Sequence, residues 1–319
     1  VSGFSLAELE AAAALVYPHM QASPLLRWPL LEQRLDFEAW VKHENHNPTG
    51  AFKVRGGLVY LQRLKQRLPD CPGVVTATRG NHGQSIALAA RMVGMRAVIV
   101  VPEGNSETKN RAMQALGCEL VVHGRDFDVS VEHSQHLERA EGLHRIPLFH
   151  EDLVCGVASY ALEMFRAGPV LDRVYVPIGL GSGVCGVLSV RDALGLDTEV
   201  VGVVSSEATC YQQSLAEGEC VATATADTLA DGMAVRVPNP DALAMMRSGV
   251  SRIVDVNDDQ VLAAMAHYFE DTHNIAEGAG AAALAAAISE QADNRGCRVG
   301  LVLTGGNVDA SLFARVLSA

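Results

Sequence analysis

The sequence predicts an α/β fold, with parallel strands covered by helices on both faces. Three observations lead there. Short β-branched runs recur along the chain, stretches with helical spacing lie between them, and the runs are mostly continuous apolar stretches punctuated by Gly and Pro. Strands buried on both faces read in this way, and their alternation with helices is the pattern of parallel sheets.

Taken in order, the first strand covers 37–41. Asn47-Pro48-Thr49-Gly50-Ala51-Phe52-Lys53 then makes a tight connection, with Thr49 as the expected N-cap of a helix carrying Val54, Leu58, Leu61 and Leu64 on one face. A strand at 73–76 leads through Thr78-Arg79-Gly80-Asn81-His82-Gly83 into a helix over 86–92. Strands follow at 97–101 and 119–122, and the two βα units at 74–93 and 97–116 form a compact insert. The expected division is a small domain at 70–148 inside a larger one made of 1–69 and 149–319. A strand at 173–178 runs through Gly179-Leu180-Gly181-Ser182-Gly183 into a helix containing Val187 and Leu188. Beyond a strand at 200–204, the Ala-rich run 278–288 is a tightly packed helix, and the last strand, 298–303, ends in Thr304-Gly305-Gly306-Asn307. No repeat period and no low-complexity linker divides the chain.

Composition narrows the ligands. At 319 residues and 49% hydrophobic, the chain can bury a large core. Its 37 acidic against 25 basic residues give a net charge of −12, with no basic cluster, which argues against nucleic acid and anionic membranes and leaves small molecules. Seven cysteines form no CxxC pair or recurring spacing, so buried thiols in a reducing cytoplasm are expected rather than zinc or disulfides. No apolar run is long enough for a bilayer, and no basic flank leads into an apolar segment at the N-terminus.

Four places attract chemistry. Lys53 sits where the free N–H groups of a first helical turn can hold an anion beside an amine, although any amphipathic helix can begin with a solvated lysine. The glycine loop Gly179 to Gly183 lets backbone N–H groups converge on a phosphate, and it fits neither a Walker motif nor a dinucleotide fingerprint; the bland alternative is a tight turn. The turn at Thr78 to His82 and the loop from Thr304 also end strands, where open α/β sheets bind ligands. Asn81 and His82 can equally be turn formers with local hydrogen bonds.

In this order, and together with Glu277-Gly278-Ala279-Gly280-Ala281, these motifs resemble the fold type II pyridoxal-phosphate enzymes, in particular the threonine/serine dehydratase and serine racemase group. The resemblance runs from Pro24-Leu25 to Asn307. It implies two open twisted, mostly parallel sheets flanked by helices and a pyridoxal 5'-phosphate cofactor. Lys53 would carry the cofactor covalently and then serve as the base for the substrate α-proton. Gly179, Leu180, Gly181, Ser182 and Gly183 would bind the cofactor phosphate, Asn81 the ring hydroxyl and Thr304 the pyridine nitrogen. Thr78, Arg79, Gly80, Asn81 and His82 would hold the substrate carboxylate. The implied reaction is loss of water from a β-hydroxy-α-amino acid, giving a 2-oxo acid and ammonia. A cytoplasmic homodimer is the expectation that goes with the group, while the residues themselves leave the oligomeric state open.

Three departures from the group's pattern matter. Ala51 replaces a usual Ser, removing one hydroxyl near the phosphate or the lysine. Glu207 stands where a divalent-metal ligand is found in some members, but Ala208 to Gln213 supplies no Asp, so no metal is expected. Arg79 replaces the Ser that acts as the second acid or base in racemases, and a guanidinium stays protonated, which disfavours racemisation. Arg79 can instead grip a second substrate carboxylate, making 3-hydroxyaspartate the alternative substrate to threonine and serine; it can also be a surface cation.

Overall fold

A computed structural model describes residues 3–318. In chain order the elements are α1 (Leu6–Val16), β1 (Leu25–Leu26), α2 (Pro29–Leu35), β2 (Glu38–His43), α3 (Lys53–Arg67), β3 (Val74–Ala77), α4 (Asn81–Met92), β4 (Ala97–Val101), α5 (Glu107–Ala115), β5 (Glu119–Val122), α6 (Phe127–Glu141) and β6 (His144–Arg145). They continue with α7 (Glu151–Ala167), β7 (Arg173–Pro177), α8 (Ser182–Ala193), β8 (Glu199–Ser205), α9 (Cys210–Glu217), α10 (Pro240–Arg247), β9 (Val250–Val256), α11 (Asp258–Thr272), α12 (Gly278–Ser289), α13 (Gln291–Asn294), β10 (Arg298–Leu303) and α14 (Ala310–Ser318).

The strands form two sheets. The larger has six strands in the order β1-β2-β10-β7-β8-β9, parallel except for β1, which runs antiparallel to β2. The smaller, β5-β4-β3-β6, is parallel throughout. All seven expected strands are present, and those at 97–101, 119–122 and 298–303 have the expected bounds. Three others went unread: β1 and β6 have two residues each, and β9 carries Arg252 and Asp255 along an edge, which breaks the apolar run.

Helix α3 shows how the molecule aims its site. Val54, Leu58, Leu61 and Leu64 are buried as their spacing requires. Two glycines then let it lie close to its neighbours. A Cβ on Gly56 would come within 2.8 Å of the Leu153 carbonyl oxygen of α7, and one on Gly57 within 2.9 Å of the Ser85 carbonyl oxygen of α4. Backbones can approach so nearly only where no side chain intervenes. Helix α12 does the same with alanine, burying every residue from Gly278 to Ala287 against the larger sheet. No helix among the described residues is long and apolar enough to cross a membrane.

Candidate active site

Lys53 is the first residue of α3, and the segment before it is stitched to the end of β10. The Phe52 N–H donates to the Thr304 carbonyl at 3.0 Å, Gly306 N–H donates to the Gly50 carbonyl at 2.9 Å, and Ala51 bridges Gly305. Gly50 has φ +67°, the left-handed turn that a glycine makes without strain. Thr49 is not the N-cap, contrary to expectation. Phe52 occupies that position without a side-chain bond, and the Thr49 hydroxyl lies 3.4 Å from the Ala51 carbonyl, three residues too early to reach the first turn.

The Lys53 amine makes no hydrogen bond among the described residues and lies 4.8 Å from the Phe52 ring centre. Desolvation lowers its pKa to about 8, against the pull of the Glu277 charge in the other direction. The same enclosure lowers His82 to about 3, with the Lys53 charge adding to burial, so this imidazole is neutral. His82 Nε2 is buried and has no partner among the described residues, a donor or acceptor left for a ligand.

The turn after β3 is shorter than expected, because Asn81 and His82 already belong to the first turn of α4. Thr78 is buried, and its hydroxyl accepts the Gly80 N–H at 3.1 Å. Gly80 precedes α4 with no side-chain cap, so the first N–H groups of that helix are left uncapped. A side chain on Gly80 would meet Lys109 Cδ at 2.7 Å. Arg79 is exposed and makes no ion pair among the described residues.

Asn81 is held from both ends. Its Nδ2 donates to Glu277 Oε1 at 2.6 Å, and its Oδ1 accepts from Asn307 Nδ2 at 2.8 Å. Burial pushes the Glu277 carboxyl up to about 7, although Lys109, the Asn81 hydrogen bond and Lys53 pull it down. Lys109 pairs with Asp231 at 2.7 Å. Nothing in the sequence marks Lys109, and Glu277 and Asn307 stand there only as members of motifs, without a role. A single carboxylate heading an otherwise apolar helix was the available signal.

The glycine loop is packed from behind. A Cβ on Gly179 would overlap the Gly232 carbonyl oxygen, and Gly181, at φ +99°, has Met246 Cε 2.6 Å from where its Cβ would be. Two tyrosines tie the loop carbonyls, Tyr211 to Leu180 and Tyr160 to Gly183, each at 3.0 Å. Ser182 and Gly183 are helical rather than loop residues, and α8 starts after Gly181 with no side-chain cap. Unpaired N–H groups beside bare glycines suit an anion. Gly183 lies 3.7 Å, measured from an added Cβ, from the Phe52 ring, so the cradle and the Lys53 amine both flank that ring. Thr304 is buried at the end of β10, its side chain without a partner among the described residues.

Behind the Lys53 connection lies a cluster of buried charges that the sequence does not reveal. Arg55, two residues after Lys53, donates to Glu44 at 2.7 and 3.0 Å and to Glu163 at 2.6 and 2.9 Å. Lys42 completes it, 2.5 Å from Glu163. Glu44 also accepts from Asn47 Nδ2 at 2.6 Å and so anchors the start of the Lys53 connection.

A fit of these residues to pyridoxal 5'-phosphate therefore has three parts: an unpartnered amine of lowered pKa, an uncapped glycine cradle, and an orphaned buried imidazole. Comparison with known proteins agrees. The model of the family described as pyridoxal-phosphate dependent enzyme matches residues 16–305. The biosynthetic L-threonine dehydratase of Salmonella typhimurium is 32% identical over 299 residues, 93% of this chain and 58% of that protein. The L-threonine ammonia-lyase of Thermotoga maritima is 30% identical over 282 residues, 88% of this chain and 70% of that one. The structure of the processed form of threonine deaminase isoform 2 from Solanum lycopersicum superposes with TM-score 0.91 at 29% identity, covering 99% of this chain and 94% of that one. The chain thus spans little more than half the length of the first of these relatives, at 58%.

Proposed function

The chain belongs to the pyridoxal-phosphate dependent enzymes, and from that premise we propose that it eliminates water from a β-hydroxy-α-amino acid, threonine or serine, to give a 2-oxo acid and ammonia. The observation that carries the reading is the Lys53 amine, desolvated, without a hydrogen-bond partner among the described residues and lowered to about 8. The names of the relatives, threonine dehydratase and threonine ammonia-lyase, support the reaction class.

Pyridoxal 5'-phosphate, when bound, supplies an aldehyde that condenses with amines and a ring that accepts the electron pair left at the substrate Cα. In this reading Lys53 carries it, the uncapped N–H groups at Gly181 to Gly183 receive its phosphate, and Asn81 and Thr304 meet its ring. A neutral hydroxyl at Thr304 stabilises ring-nitrogen protonation less than a carboxylate does, which favours prompt loss of the β-hydroxyl over transamination. Once free, the neutral Lys53 amine takes the α-proton; a protonated amine has no lone pair for it. The first N–H groups of α4 after Gly80 hold the substrate carboxylate, with Thr78 bracing the turn through its bond to Gly80. Neutral His82 offers one ring nitrogen to substrate without adding charge. No divalent metal has a part in the proposal.

Domain division and assembly belong to the same reading. The smaller sheet, whose strands lie between Val74 and Arg145, supports a small domain at 70–148, and a cytoplasmic homodimer is proposed by analogy with the group. A second substrate reading rests on Arg79, an exposed cation beside the substrate turn. It would pair with the second carboxylate of 3-hydroxyaspartate.

The experiment is a panel of threonine, serine and 3-hydroxyaspartate isomers, scored by 2-oxo acid release from wild type and Lys53→Ala. Release by wild type and loss of several orders of magnitude in the variant are expected. Near-normal elimination by Lys53→Ala would sink the assignment.

A further inference from the structure

Glu277 has no task in the reaction described so far, yet its surroundings are built with care. It is 8% exposed, and its carboxylate crosses over Gly305, where a Cβ would come within 2.6 Å of Oε1. Its own N–H donates to the Gly305 carbonyl at 3.0 Å. Opposite it, Asn307 Nδ2 is shared between the Thr49 carbonyl and Asn81 Oδ1, both at 2.8 Å. Between the two stands Asn81, whose amide cannot turn over. A flip would set oxygen against the Glu277 carboxylate and an NH2 group against the Asn307 donor. Glu277 accepts one hydrogen of Asn81 Nδ2 and leaves the second as a donor of fixed direction.

We propose that Glu277 is a positioning residue, which grips Asn81 against Asn307 so that one amide N–H is aimed at the ring of the bound cofactor. The inference rests on the reading of Asn81 as a cofactor contact. Charge enters as well. Glu277 is faced by Lys109 from α5, Lys53 from α3, Asn81 from α4 and Asp231 from the short turn Asp231–Met233, and Asp309 also acts on Lys109. A negative Glu277 therefore favours the charged forms of Lys109 and Lys53.

The test separates acceptor from charge. Cofactor-free protein is titrated with pyridoxal 5'-phosphate by fluorescence, attachment to Lys53 is read by borohydride reduction and mass spectrometry, and thermal unfolding of the cofactor-free variants checks folding. Glu277→Ala should weaken cofactor binding about tenfold, the usual effect of losing a charge-assisted bond. Glu277→Gln keeps the accepting oxygen, so its affinity should fall less than about threefold while the pH midpoint for Lys53 modification moves down. In an Asn81→Ala background Glu277→Ala should add less than about twofold, because the partner is gone. Asn307→Ala should weaken binding comparably and combine with Glu277→Ala by less than the product, which also covers a poorly folding Glu277 variant. Wild-type affinity in Glu277→Ala, or an undiminished loss in the Asn81→Ala background, overturns the proposal alone. Failure of wild type to take the cofactor on Lys53 overturns the underlying reading with it.

Discussion

Replacing Arg55 with Met removes the centre of the buried charge cluster, and the structure lets its cost be worked out. The wild-type cluster balances two cations, Lys42 and Arg55, against two carboxylates, Glu44 and Glu163, for a net charge of 2 − 2 = 0. Arg55→Met leaves 1 − 2 = −1, with Lys42 at 2.5 Å from Glu163 and 4.0 Å from Glu44 as the remaining cation. Burial pushes the Glu44 carboxyl up, but Arg55 and Lys42 outweigh it and hold the group below the usual range. An uncompensated buried charge typically costs about 3–5 kcal/mol, against a total stability of about 5–15 kcal/mol for an ordinary domain. Urea unfolding followed by circular dichroism, on cofactor-free protein, measures it. Adding Glu44→Gln to Arg55→Met restores neutrality and should recover a large part of the loss. A single variant within about 1 kcal/mol of wild type would falsify the view that these charges depend on one another.

Other perturbations follow from the site. Modification of Lys53 by an amine-directed reagent should rise with pH around a midpoint near 8, and a midpoint close to the ordinary 10.5 would show that the amine is not desolvated. His82, lowered to about 3, and His43, lowered to about 4, bind protons more readily when unfolded, so the stability they contribute is present above 6.5 and lost as pH falls through those values. Each group can add up to ~1.4 kcal/mol per pH unit, and a flat stability profile between pH 6.5 and 4 would contradict this. Gly179→Ala drives a methyl into the Gly232 carbonyl, and the resulting shift of the cradle, about 1–3 kcal/mol, should appear as a ten- to hundredfold loss of pyridoxal-phosphate affinity in titration. Arg79→Ser should leave stability within about 0.5 kcal/mol because the side chain is exposed and makes no ion pair among the described residues. If Arg79 reads a second carboxylate, the same change costs roughly ten- to a hundredfold in kcat/KM on 3-hydroxyaspartate alone, whereas equal losses on all substrates exclude that role.

Local signals were legible in the sequence, and long-range ones were not. Continuous apolar runs such as Ala97–Val101 announced strands because both faces are buried, while β9, half-exposed at an edge, kept charges that concealed it. The motif residues Lys53, Asn81, Gly179 and Thr304 could be listed because each follows a strand or a turn signal. What fixes them could not. Asn81 meets Glu277 across 196 positions and Asn307 across 226, and Arg55 meets Glu163 across 108. Thr49 misled for the opposite reason: a good capping residue was present, but the backbone pairing of Ala51 with Gly305 set where the helix begins.

The pairing of β2 with β10 has a consequence for how the protein is made. Glu38 stands beside Arg298 in the larger sheet, so 260 residues separate neighbouring strands, whereas every strand of the smaller sheet lies between Val74 and Arg145. At about 5–20 residues per second, a ribosome needs on the order of 13–52 s to deliver β10 after β2. Throughout that interval the edge of β2 that receives β10 is unpaired, with only the two-residue β1 on its other side, and the smaller sheet can complete itself first. The nascent chain therefore carries an open strand edge from the emergence of β2 until β10 follows it, and chaperones that bind extended apolar segments should cross-link to 38–43 over that interval.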